Sequence, residues 1–218
     1  MVDKHVASDS KPASGADPRL AAVQGIFQRS IALKQTTQEN YLGPLLAMAD
    51  LCVASLVGGG KILMCGNGGS AADAQHLAAE LLVRLRPDVN RDGIPAIALA
   101  LDPSSMTACG NDYSYEVFYE RMTRTLGRKG DVLLGITTSG KSPNVLGAMR
   151  VAREKGMPVI GFLGGDGGPA LPLCDIAFVV PSKETGRIQE VHITAGHALM
   201  ELIEDGLLAA GAIQRIKA

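Results

Sequence analysis

The sequence predicts an α/β three-layer sandwich built on a five-stranded parallel sheet, with helices added at the N-terminus. Three observations predict it. Five short apolar runs, at residues 62–65, 96–101, 132–136, 159–163 and 176–180, show no polar–apolar alternation. Strands buried on both faces read this way. Helical spacing of apolar residues fills the stretches between the runs, which argues for right-handed βαβ units. Glycine supplies 26 of 218 residues, well above the usual ~7%. The glycines cluster at the ends of the apolar runs, where backbone must turn or approach a ligand closely. In such a sheet the ligand sits beyond the carboxyl ends of the strands, so the loops after the first and third runs matter most.

Composition narrows the function. The length suits one domain with a sizeable core. With 21 Lys+Arg against 22 Asp+Glu, the net charge of -1 lacks the basic excess of a nucleic-acid surface. Four Phe, four Tyr and no Trp offer little platform for stacking bases. The longest apolar stretches, such as Ile94–Leu101, fall far short of the roughly 20 residues that a bilayer demands. Neither nucleic acid nor membrane is therefore expected as a partner. Cys52, Cys65, Cys109 and Cys174 form no CxxC pair and sit in apolar settings. They read as buried reduced thiols, which fits the cytoplasm. The N-terminus has no apolar core of signal-peptide type.

The elements follow in order. Residues 1–16 are polar and rich in Ser, Ala and Lys, and read as a disordered tail. Asp17-Pro18 is an N-cap followed by proline at the first helical position. Leu20, Val23, Phe27 and Ile31 then recur at helical spacing. A second helix is expected from Pro44 to Leu56, stopped by Gly58-Gly59-Gly60. The two helices are expected to form a helical hairpin over 17–58, within a single domain of 17–218. Between and after the strands, helices are expected at 71–86, 115–126, 144–155 and 188–210. No internal repeat is seen.

Two loops look built for a phosphate. After the first strand comes Cys65-Gly66-Asn67-Gly68-Gly69-Ser70, leading into a helix whose N-terminus offers free N–H groups and a positive dipole end. Ser70 and Asp73 fit a variant of the capping box, and alone the segment reads equally well as a tight turn. After the third strand comes Thr137-Thr138-Ser139-Gly140-Lys141-Ser142-Pro143-Asn144. Its hydroxyls and the following helix N–H groups suit a phosphate monoester. The Walker spacing is absent, so a nucleoside triphosphate is not expected. Parallel-sheet geometry brings both loops to one edge.

The helix after the first loop has two stripes. Ala74, Leu77, Leu81 and Leu85 are apolar; Asp73, His76, Glu80 and Arg84 are polar and share a face. His76 and Glu80 lie one turn apart and could converge on one ion or substrate, although a solvated His–Glu pair explains the spacing as well. The last helix carries Arg187-Ile188-Gln189-Glu190-Val191-His192 and then His197. Each histidine reads either as part of a lined cleft or as a hydrogen-bonded core residue.

Four segments together resemble the phosphoheptose isomerases of the sugar isomerase (SIS) superfamily. They are Gly66 to His76, Gly110-Asn111-Asp112-Tyr113, Thr138 to Asn144, and Ile188 to His192, in the family's order. The resemblance runs from about residue 19 to 210. It implies a flavodoxin-like SIS fold and conversion of sedoheptulose 7-phosphate to D-glycero-D-manno-heptose 7-phosphate, an early step toward lipopolysaccharide and other surface glycans. It also implies a homotetramer with active sites between subunits, and one Zn2+ per subunit. By position, Glu80 matches the catalytic base and His197 the partner acid. His76, Glu80, Gln189 and His197 match the metal set. Asn67, Gly68, Gly69, Ser70, Glu80, Arg84, Asn111, Asp112, Thr137, Thr138, Ser139, Ser142 and Gln189 match the sugar-phosphate contacts.

One geometric objection stands against the metal set. Gln189 and His197 are separated by roughly 12 Å of regular helix at ~1.5 Å per residue, so both do not readily hold one ion from one helix. His76, Glu80 and His197 make the stronger set. A non-catalytic relative of the replication-initiator-associating type would lose the carboxylate and late histidine that Glu80 and His197 retain. A sugar-phosphate-sensing regulator would carry a basic helix-turn-helix segment, for which residues 1–60 lack the charge. An isomerase for another phosphosugar would use the same enediol chemistry.

Overall fold

The computed structural model describes residues 17–216, so the segment read as a tail, 1–16, lies outside the described residues. Five parallel strands, β1 (Ile62–Gly66), β2 (Ala96–Ala98), β3 (Val132–Thr137), β4 (Val159–Gly164) and β5 (Ile176–Val180), form one sheet in the order β2-β1-β3-β4-β5. Every residue of β1, β3 and β4 is buried, as the unbroken apolar runs predict. β1 leads outward to β2 and β3 outward to β4, so the direction of winding reverses between β1 and β3. Ligands of such sheets bind at this switch point. The register pairs Gly66 with Ile136, so the two Gly- and Ser-rich loops leave the sheet side by side.

Helices cover both faces. On one side α2 (Gly43–Val57), α3 (Gly69–Ala79) and α7 (Thr185–Ala209) bury Met48, Cys52, Leu77, Leu199 and Ile203 against the sheet. On the other, α5 (Phe118–Leu126) and α6 (Pro143–Glu154) bury Phe118, Tyr119, Val145 and Met149. Each fully buried side chain of this size contributes about 1.5–3 kcal/mol by leaving water. The three-layer sandwich expected from the sequence is therefore the fold observed.

Several boundaries differ, for local reasons. The run 96–101 shrinks to a three-residue strand because Asp102 caps α4 (Pro103–Asp112), its Oδ1 accepting the Ser104 N–H at 2.9 Å. This helix was not expected from apolar periodicity, although Asp102-Pro103 repeats the signal that opens α1 (Pro18–Asn40). The helix expected from 115 begins as a 3₁₀ turn, Tyr115–Val117. The helix expected at 71–86 begins at Gly69 with Gly68 as its N-cap, and no side chain caps it. The Ser70–Asp73 capping box is therefore not formed. After Ala79 the same helix widens into a π turn, Glu80–Arg84.

The N-terminal helices meet at a bend of 71°, an elbow rather than the expected antiparallel hairpin. α2 packs along α7, whereas α1 leaves it and is held at the α7 N-terminus. There Arg187 donates to the Ile26 carbonyl at 3.0 Å and Arg29 pairs with Glu184 at 3.2 Å. The apolar stripe of α1 faces outward, with Phe27 65% and Ile31 62% exposed. Among the described residues, no single helix is long and apolar enough to cross a membrane.

Candidate active site

The site begins at the glycine turn after β1. A Cβ on Gly66 would lie 2.7 Å from the backbone of Ser70, so only glycine lets the chain fold back there. Gly68 has φ +56°, the left-handed region that glycine enters without strain. A Cβ on Gly69 would meet the Gln189 amide at 2.6 Å, and one on Gly196 would meet the Leu77 methyls at 2.7 Å. Two successive contacts of this kind, Gly69 with Gln189 and Leu77 with Gly196, show α3 and α7 running side by side in the same direction. Their close approach depends on missing side chains.

This register brings the histidines together. The Nε2 atoms of His76 and His197 are 2.7 Å apart, one donating and the other accepting. The rings meet edge to face, 5.0 Å between centroids at 76°. The Glu80 Oε1 lies 3.2 Å from His76 Nε2. Ligand atoms of His76, Glu80 and His197 all fall within 4.8 Å of one another, the one such group among the described residues. One turn before His76, Asp73 has a buried Oδ2 without a hydrogen-bond partner. Burial raises its carboxyl above the ordinary value, and the two histidines pull it partway back.

Gln189 stands apart from this trio within one chain. It lies against Gly69, and unbroken α7 separates it from His197 by about 12 Å. His192, on the same helix, turns into the core. Its Nε2–H donates to the Leu163 carbonyl at 3.0 Å and its Nδ1 has no partner. Burial lowers its pKa to about 4, so it is a neutral core histidine. The thiols also lie apart from the chemistry: burial pushes Cys52, Cys65 and Cys174 up to about 12, which leaves them poor nucleophiles.

The loop after β3 lines an open cavity of about 850 Å³ together with Gly164, Asp166, Ser182, Lys183 and Thr185. Thr138, Ser139 and Lys141 face it. The Thr137 and Ser142 hydroxyls are 3.2 Å apart, and Ser139 Oγ accepts the Lys141 N–H at 3.2 Å. Ser142 is the N-cap of α6 yet makes no side-chain cap bond, so its hydroxyl retains capacity for a ligand at a helix N-terminus. The cavity walls do not include the His–Glu trio.

Asn67 ties the two loops together. Its amide exchanges two hydrogen bonds with Asn144, at 2.8 and 2.9 Å, and its Oδ1 accepts the Tyr115 hydroxyl at 2.7 Å. Asn144 and Tyr115 were not among the expected site residues. Asn144 stood inside the expected loop motif, but nothing in its spacing showed that it would face Asn67 across the switch point. Ser70 is buried beneath the turn. Arg84 lies exposed at the end of the π turn, donating to the Pro87 carbonyl at 3.3 Å. Asn111 and Asp112 end α4, exposed and hydrogen-bonded to each other at 2.8 Å.

A parallel sheet of this order is the flavodoxin-like doubly wound arrangement, and within that class the SIS domain family matches residues 26–164. A phosphoheptose isomerase of Paramagnetospirillum magneticum is 55% identical over 161 residues, covering 74% of this chain and 83% of that protein. The structure of a phosphoheptose isomerase from Neisseria gonorrhoeae superposes with a TM-score of 0.80 at 42% identity, over 85% of this chain and 98% of the other. That of the Francisella tularensis protein gives 0.81 at 37% identity, over 86% and 98%. The chain belongs to the phosphoheptose isomerase family.

Proposed function

We propose that this enzyme converts sedoheptulose 7-phosphate to D-glycero-D-manno-heptose 7-phosphate through an enediol, early in the making of heptose for lipopolysaccharide and other surface glycans. The observation that carries the reading is the meeting of Glu80, His76 and His197, brought together from α3, its π turn and α7. Glu80 takes a proton from C1 of the ketose as the C2 carbonyl oxygen gains one, and the enediol results. Loss of the O1 proton and return of a proton to C2 complete the aldose. The imidazole of His197 is suited to moving protons between the two oxygens. The phosphate, held by Thr138, Ser139, Ser142 and the α6 N-terminus, keeps the reacting carbons in place.

The donor set fits a zinc ion. Two histidines and a glutamate are a familiar catalytic triad of zinc ligands, and His76, Glu80 and His197 would hold it. The Nε2 atoms of His76 and His197, 2.7 Å apart, and the Glu80 carboxylate would offer it three donors. Bound there, the ion would supply positive charge to an enediolate oxygen. Gln189 joins such a set only by coming from elsewhere than the trio's own stretch of α7. The outward apolar stripe of α1 supports a homotetramer with sites completed between subunits, and four free cysteines support a cytoplasmic setting.

The decisive experiment is incubation with sedoheptulose 7-phosphate, followed by NMR. The aldose anomeric proton signal is expected to grow; an unchanged ketose spectrum rejects the reading. Elemental analysis is expected to find one zinc per chain, and chelation to abolish turnover; a metal-free, fully active enzyme removes the ion from the account. Light scattering is expected to give a four-chain mass, and a monomer mass would remove the tetramer.

A further inference from the structure

The π turn places an unusual demand on Glu80. Where a helix passes from α to π geometry, its carbonyls change partners, and such turns gather at functional sites. Here the carbonyls of the first two π residues are held from outside the helix by one side chain. Arg91 donates through Nη2 to the Glu80 carbonyl and through Nη1 to the Leu81 carbonyl, both at 2.9 Å, and through Nη1 also to Asp92 at 3.0 Å. Its Nε donates to Glu204 Oε1 at 2.5 Å, and both side chains are 1% exposed. The other Glu204 oxygen takes Arg86, at the exit of the same turn, at 2.6 Å.

Glu204 belongs to α7 and lies two helical turns after His197, on the same face. One buried guanidinium therefore links the backbone of Glu80 to the helix that carries His197. A buried ion pair of this kind contributes little net stability, because desolvation cancels most of the attraction. Its geometry is demanding, however: a planar fork satisfied on all sides fixes position.

We infer that Arg91 and Glu204 are positioning residues that set the Glu80 carboxylate at its working distance from His197. This rests on the acid–base reading above. The test replaces both partners together, Arg91→Met with Glu204→Met, which leaves no unpaired buried charge and lets the domain fold. Arg86 keeps Asp205 as a partner at 2.5 Å.

With circular dichroism and melting temperature near those of the wild type, kcat is expected to fall by roughly tenfold or more. Ångström-scale misplacement costs up to the order of 10²-fold. KM is expected to stay within about twofold, because the hydroxyl loop is untouched. A folded double variant with wild-type kcat, or with a change in KM alone, overturns the inference. If the double variant does not fold, Arg91→Lys serves. It keeps the charge but cannot span the carbonyls, and the same kcat-selective loss is expected, unchanged kcat being the contrary result. If the wild-type chain itself shows no turnover, the acid–base reading fails and the clamp is judged by imidazole NMR. Signals of His76 and His197 should then shift in the variants while that of His192 stays; unmoved signals overturn the clamp.

Discussion

The two strand-to-helix crossings at the centre of the sheet, β1 to α3 and β3 to α6, begin alike and end differently. Each turns on a glycine with positive φ, Gly68 at +56° and Gly140 at +64°. Each opens a helix whose N-cap makes no side-chain bond; the Asn67 carbonyl takes the Ser70 N–H in one, and Asn144 Oδ1 takes the Val145 N–H in the other. α6 then runs regularly to Glu154, its interior face buried against the sheet. α3 runs only to Ala79 before it widens at Glu80. The regular crossing carries hydroxyls and suits binding, which needs a fixed cradle. The irregular crossing carries the titratable groups, and its geometry is imposed by Arg91 and by a glycine contact with α7. On the proposed reading, binding and chemistry fall to neighbouring crossings of the same design, separated by what holds the helix behind each.

That division can be broken from either side. The largest effect is expected for Glu80→Gln, with kcat lowered roughly 10²–10⁴-fold, the usual worth of a general base, and sugar phosphate still bound in calorimetry. Near-native kcat would remove Glu80 from the role of base. Gly196→Ala comes next. Its Cβ meets the fully buried Leu77 at 2.7 Å and pushes α7 from α3, so kcat should fall about tenfold with KM little changed. An unaltered kcat would show that the helix spacing is not critical.

Ser142→Ala probes the regular crossing. Loss of one hydrogen bond to a charged group, about 1.5 kcal/mol, should raise KM by roughly tenfold and leave kcat alone. A pure kcat defect would erase the contrast between the two loops.

The last effect, one on stability and indifferent to both loops, concerns His192. Its folded pKa of about 4 lies below the ordinary 6.5, so on acidification the unfolded chain takes the proton first. The stability it supplies is whole above pH ~6.5 and declines as pH falls toward ~4, by a total of roughly 3 kcal/mol. Thermal melts should show this loss, and His192→Gln, which can still donate to Leu163, should have a shallower acid slope. An equal slope in both proteins would contradict the burial argument.

Much of this was legible in the chain. Unalternating apolar runs marked β1, β3 and β4, because a strand covered on both faces has no polar side to show. The Asp73, His76, Glu80 and Arg84 stripe was visible because helical spacing alone puts those residues on one face. β2 was overextended and α4 overlooked for a single reason: Asp102-Pro103 is a helix start whose helix buries mainly Cys109, and periodicity cannot report a face that is hardly buried. The capping box failed because the glycines moved the helix start to Gly69. The elbow of α1 and α2 depends on where α7 offers partners, which no local signal carries.

The site divides in the same way. Residue types and local spacing, by themselves, determined that this chain would form a parallel α/β sheet with a hydroxyl loop at its carboxyl edge and one helix bearing a histidine and a glutamate a turn apart. The family resemblance named His197 for this group, but only the tertiary structure showed it meeting them while His192 turned into the core, Asn144 gripping Asn67, and a buried arginine holding the Glu80 backbone. Those contacts join residues 121 and 77 positions apart, or eleven apart across a turn of altered pitch. Their partners are chosen by how closely two helices can approach where side chains are missing, a property of packed surfaces that a linear spacing does not contain.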